Sequence, residues 1–128
     1  MSEHLSENLI YSLLEKIINQ KKAQNLSILC HYPVMKLIAD WESLDNTEKV
    51  FAKNPLSHVD FLVYNTITKK PQMAIEVDGW KYHVQSEVQQ ARDAIKNSIF
   101  SKIGLPLKRI STTDTVTEEN LINILFNN

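Results

Sequence analysis

Three carboxylates stand where a buried strand should be apolar. Asp60 lies in His58-Val59-Asp60-Phe61-Leu62-Val63-Tyr64, and Glu76 and Asp78 lie in Met73-Ala74-Ile75-Glu76-Val77-Asp78-Gly79. Strand residues alternate between two faces, so Met73, Ile75 and Val77 point one way and Ala74, Glu76 and Asp78 the other. In the earlier run Val59, Phe61 and Val63 share one face, opposite Asp60. If the two strands are neighbours with their apolar faces on one core, Asp60, Glu76 and Asp78 converge on the other side. Carboxylates held that close repel one another, each tenfold change in proton affinity being about 1.4 kcal/mol. A divalent cation is the usual remedy.

The elements that must position these acids follow from periodicity and punctuation. Ser6 is expected to cap a first helix running to about Lys22, with Leu9, Ile10, Leu13, Leu14, Ile17 and Ile18 as its apolar stripe. Glu7 falls in line with Leu14 and Ile18. It is either a first-turn glutamate favoured by the helix dipole or a fourth acid facing the carboxylates. Leu26-Ser27-Ile28-Leu29-Cys30-His31-Tyr32 has strand composition and is stopped by Pro33, and Cys30 and His31 read as structural. Val34 to Trp41 reads as a strand end or a helical turn, and Glu42 to Asn54 as a polar connection without chemistry.

Asn65 to Pro71 supplies turn residues for an antiparallel hairpin into the strand bearing Glu76. A second helix is expected over Ser86–Lys102, with Val88, Ala91, Ile95, Ser98 and Ile99 on one face and Gly104 as terminator. Leu105 to Ile110 reads as a last strand, and Thr117 opens a final helix through Leu121, Ile122, Leu125 and Phe126. The predicted architecture is α/β, a central mixed four-stranded sheet flanked by helices in the order α-β-β-β-α-β-α. The hairpin is antiparallel, and the strand-helix-strand crossover makes the last pair parallel.

The chain has 128 residues and reads as one domain, 1–128, large enough to bury about two-thirds of its unfolded surface. Its single cysteine, Cys30, excludes an internal disulfide framework, and no cysteine-histidine cluster has zinc-site spacing. The first residues lack a signal-peptide pattern and no apolar run approaches membrane-spanning length, so a cytoplasmic, reducing setting is expected. Net charge is −1, neither for nor against nucleic acid. Lys69-Lys70, Lys81, Arg92, Lys96, Lys102 and Lys108-Arg109 mostly follow the acidic strands, a basic bias that a solvated surface explains equally well.

The combination of Val59-Asp60-Phe61, Ala74-Ile75-Glu76-Val77-Asp78-Gly79 with His83, Arg92-Asp93 and Gly104-Leu105-Pro106-Leu107-Lys108-Arg109-Ile110 resembles the PD-(D/E)XK nuclease superfamily. It is most similar to the branch of very-short-patch-repair endonucleases and to related domains that stand alone or are fused to helicases. The resemblance covers nearly the whole chain. It implies a restriction-endonuclease-like core and a metal-dependent endonuclease acting on DNA in repair, restriction or processing. It also implies that such a domain can be a piece of a longer protein, with a helicase as partner in cis or in trans.

Carried over by residue, the resemblance makes Asp60 and Glu76 the metal-binding acids and matches Glu7 to the helix-borne glutamate of many members. Two residues after Glu76 the family pattern has lysine, whereas this chain has Asp78. In the resembled family an absent lysine is sometimes replaced from elsewhere, and Lys81, Lys96 or His83 are the candidates here; alternatively Asp78 is a metal ligand or a cap on the turn at Gly79. A chain that has lost cleavage is the alternative: an inactive DNA-binding or helicase-accessory module.

Phosphodiester hydrolysis needs a nucleophilic water and charge stabilisation on the phosphate, and Mg²⁺ or Mn²⁺ on carboxylates supplies both. His83, with an ordinary pKa of about 6.5, suits a general base or acid, or is incidental. Arg92 and Lys96, one turn apart, either reach a phosphate or form a solvated helix face. Trp80 and Tyr82 either stack on bases or cover the sheet edge.

Overall fold

A computed structural model describes residues 3–21, 25–78, 86–112 and 116–126. The elements run α1 (Glu3–Gln20), β1 (Leu26–Pro33), two short 3-10 turns (Val34–Leu37 and Trp41–Ser43), α2 (Asn46–Lys53), β2 (His58–Asn65) and β3 (Pro71–Asp78). α3 (Glu87–Ile103), β4 (Leu107–Ser111) and α4 (Glu118–Phe126) complete the chain. The fold is α/β, with a four-stranded mixed sheet in the order β1-β2-β3-β4 and helices on both faces. β1–β2 and β2–β3 are antiparallel and β3–β4 is parallel, as the hairpin and crossover require.

Local chemistry explains most boundaries. Asn65 accepts through Oδ1 from the N–H groups of Ile67 and Thr68, closing the β2–β3 turn, which Lys69 completes with a positive φ of 65°. Ser86 caps α3 by accepting from the Gln89 N–H, and Gly104 ends it in the left-handed region at φ 74°. Thr117 Oγ1 accepts from the Asn120 N–H at the start of α4.

Several boundaries differ from the sequence expectation. α1 begins at Glu3, so Ser6 lies inside the helix rather than capping it. The stretch expected to be a polar connection contains α2. Its N-terminus is closed by a reciprocal capping box, Asp45 accepting from the Glu48 N–H and Glu48 from the Asp45 N–H. β4 starts two residues later than expected, at Leu107. On α3, Val88 is 62% exposed instead of facing the core, because the packed stripe begins only at Ile95 and runs through Ile99 and Phe100.

Two apolar clusters sandwich the sheet. On one face Ile10, Leu14, Ile17 and Ile18 of α1 and Leu121 and Leu125 of α4 pack against Phe61, Val63, Met73, Ile75 and Ile110. On the other, Val34, Ile38, Leu44, Ala52, Ile99 and Phe100 pack against Val59, Leu62 and Ala74. Val59 therefore does not share a face with Phe61 and Val63, contrary to simple alternation. Tyr32 likewise joins the second cluster while Leu26 and Ile28 join the first.

Both strands change faces at the same step. The β1–β2 register passes from Cys30↔Phe61 to Tyr32↔Val59, with His31 and Asp60 between. His31 has φ 50°, a left-handed conformation uncommon for a residue with a Cβ. That turn shifts the phase of β1 and marks where the sheet carries its polar residues.

Candidate active site

The β2–β3 register Phe61↔Ile75 places Asp60 opposite Glu76 one step further on. There the side chains replace the ladder. The Asp60 N–H donates to Glu76 Oε2 at 3.1 Å, and the Val77 N–H donates to Asp60 Oδ2 at 2.7 Å. Each carboxylate thus braces the strand that carries the other. Like charges directly across a strand pair are destabilising. Burial pushes the Asp60 carboxyl above its ordinary value, and Glu7 pushes it further by charge and by hydrogen bonding. Glu76, only 7% exposed, is also raised, first by burial and then by Asp60 against the pull of Lys96.

Lys96 enters from α3. Its Nζ forms an ion pair with Glu76 Oε1 and donates to the His58 carbonyl at 2.9 Å. With 14% of its side chain exposed, Lys96 is not the solvated residue that helix position alone allowed. An ammonium thus stands beside the second acid although position 78 holds aspartate.

Glu7 comes from the first turns of α1, its side chain 16% exposed, and its Oε2 lies 2.8 Å from His31 Nε2. Of its two readings, the structure has the one in which it joins the acids. Asp78 lies at the end of β3, its carboxyl raised by burial and lowered by Arg109, whose guanidinium stands 3.9 Å away. Arg109 also lies 3.7 Å from Asp93 and donates to Asn97 Oδ1 at 3.0 Å. Gln89, Arg92, Asp93 and Lys96 share one helix face and line the same cleft, about 350 Å³ in volume. Trp80, Lys81, Tyr82 and His83 lie outside the described residues.

The cleft therefore gathers five carboxylates, Glu7, Asp60, Glu76, Asp78 and Asp93, against three permanent cations, Arg92, Lys96 and Arg109. That excess suits a divalent ion. A further possible ligand group consists of His31, His58 and Asp60, one ligand atom from each lying within 4.8 Å of the others. His58 Nδ1 is buried with no hydrogen-bond partner in the described structure. Sequence reasoning treated His31 as structural and gave His58 and Arg109 no role. His58 had a usable signal, two residues before Asp60 on the same strand. His31 had none, because its approach depends on a backbone turn and on the β1–β2 register.

A family model described as a protein of unknown function, DUF2726, matches residues 4–127. The chain belongs to that family. The DUF2726 match spans both helical layers and every strand, so the cleft lies wholly within the family's domain. No curated protein and no solved structure matches the chain. No helix of this DUF2726 domain, among the described residues, is long and apolar enough to cross a membrane.

Proposed function

We propose that the chain is a metal-dependent nuclease domain that hydrolyses DNA phosphodiester bonds. One observation carries the reading: Asp60 and Glu76 meet across adjacent strands with the Lys96 ammonium on Glu76. Mg²⁺ or Mn²⁺, held by Asp60 and Glu76 with Glu7 beside them, would supply charge stabilisation and lower the pKa of water. Lys96 offsets part of the rise that burial and Asp60 impose on Glu76, favouring its charged, ligating form, and carries a positive charge toward the phosphate. Arg92, on the same helix face, lines the approach and can hold a flanking phosphate. In the reaction water adds to phosphorus, the P–O bond to one sugar breaks, and the released oxygen takes up a proton.

Supercoiled plasmid incubated with Mn²⁺ or Mg²⁺ is expected to be nicked by the wild type and spared in excess chelator. Glu76→Gln should abolish nicking, and Lys96→Ala should slow it by roughly 100-fold or more, the scale of removing one charge-stabilising donor. A second reading, a DNA-binding or helicase-accessory module without cleavage, is favoured by Asp78 standing where the resembled pattern has lysine. DNA retained by the wild type, with no nicking in either metal, would replace the first reading by the second. A wild type that neither nicks nor retains DNA would leave no role for DNA.

A further inference from the structure

The imidazoles beside the acidic pair have no part in the reaction just described. Ring nitrogens of His31 and His58 and a carboxylate oxygen of Asp60 fall within 4.8 Å of one another. The two rings meet edge to face, centroids 5.0 Å apart, with His31 on β1 and His58 at the head of β2. Simple aromatic packing would account for that contact but not for His58 Nδ1, which is buried and unpartnered in the described structure. Buried polar atoms of that kind are rare unless something unseen satisfies them.

Glu7 adds an independent feature. Its carboxylate lies 2.8 Å from His31 Nε2, so a cation held by this ring would take Nδ1. A carboxylate on the second nitrogen is the usual outer partner of a metal-binding histidine, fixing its tautomer and raising its basicity. The turn at His31, φ 50°, is where β1 changes the face it presents, beside Asp60.

We propose that His31, His58 and Asp60 form a second cation site, adjoining the acidic pair and sharing Asp60 with it, for a borderline transition-metal dication such as Zn²⁺ or Co²⁺. Imidazole suits this class, whereas Mg²⁺ prefers an all-oxygen shell. Three protein ligands leave positions open to water or to a phosphate oxygen. The site stands on its own geometry; only its use in cleavage, as one half of a two-metal centre, rests on the nuclease reading.

The test is Co²⁺ titration of the whole chain in excess Mg²⁺, which occupies the oxygen site, followed by visible absorption and by calorimetry. The wild type should bind one Co²⁺ with the visible bands of nitrogen ligation. His31→Gln and His58→Gln should each weaken binding by more than the roughly 10–100-fold expected for the outer-partner variant Glu7→Gln. Glu76→Gln should bind Co²⁺ as the wild type does. Thermal melts monitor folding, and His31→Gln is the decisive variant because its side chain is 49% exposed. Co²⁺ affinity unchanged in His31→Gln, or lost in Glu76→Gln instead, overturns the site, as does a wild type that binds no Co²⁺. Co²⁺ bound through the histidines by a chain that never nicks plasmid would overturn the nuclease reading and leave the site standing.

Discussion

At the scale of the residue, Asp60 is held from three sides. It accepts from the Val77 N–H, faces Glu76 across the strand pair, and feels Glu7 from α1. Removing its charge relieves that repulsion while an amide oxygen still accepts from Val77. Asp60→Asn is therefore expected to stabilise the metal-free chain, by about 1 kcal/mol, visible as a Tm raised by a few degrees. Saturating Mn²⁺ should raise the Tm of the wild type, by about 2.7 kcal/mol at 100 times its Kd, and should leave Asp60→Asn unmoved. A lower metal-free Tm in the variant would mean that the repulsion is already quenched within the fold. Asp60 and Glu76 were legible in the sequence because a carboxylate in a strand is an anomaly that alternation can place. His31 was not, since a lone left-handed residue leaves no trace in composition.

At the scale of the element, a second charged network pins α2 to α3. Glu48, 3% exposed, completes its own capping box, accepts from Ser98 Oγ at 2.5 Å and pairs with Lys102 Nζ at 2.6 Å. Lys102 first, then Ser98 and the Asp45 N–H, hold the Glu48 carboxyl down at about 2. Its folded pKa is depressed, so ionised Glu48 stabilises the fold above its ordinary value of about 4.5, and that contribution is lost as pH falls toward about 2. Glu48→Gln should cost about 2 kcal/mol at pH 7, less than the roughly 3–5 of a fully buried pair, because the Lys102 side chain is 38% exposed. Urea titrations at neutral pH and near pH 2 should show the gap between wild type and variant closing in acid; a constant gap would assign the loss to packing. The signal for α2 was present as Asp45 followed three residues later by Glu48. A segment of only eight helical residues, with Val50, Phe51 and Ala52 as its apolar residues, concealed it.

At the scale of the whole molecule, a chain of net charge −1 has no long-range field to draw in DNA. On the nuclease reading, phosphate contacts among the described residues would fall to the cations at the cleft, Arg92, Lys96 and Arg109. About three phosphates neutralised would give a slope of about −3 in log affinity against log salt. Arg92→Ala should lower its magnitude by about 1. Filter-binding across 50 to 200 mM salt, as roughly bracketing values, would measure it; a slope near zero would exclude phosphate contacts at the cleft. The parallel β3–β4 pair followed from the crossover rule, as the register Glu76↔Arg109 bears out. The pairing of Arg109 with Asp78 and Asp93 needed that register and could not be read in advance.

The change of faces shared by β1 and β2 also governs how this chain can vary. Each strand carries apolar residues in two phases that meet at His31 and Asp60. A one-residue deletion on either side would turn one phase onto the opposite face, away from the layer it packs against, so no sliding of the pair absorbs it. The connection between the strands, by contrast, lengthens at small entropic cost. Relatives should thus differ in length at the exposed residues 54–56, after α2 and its buried partners, while the spacing from Leu26 to His31, and from Asp60 to Val63, stays fixed.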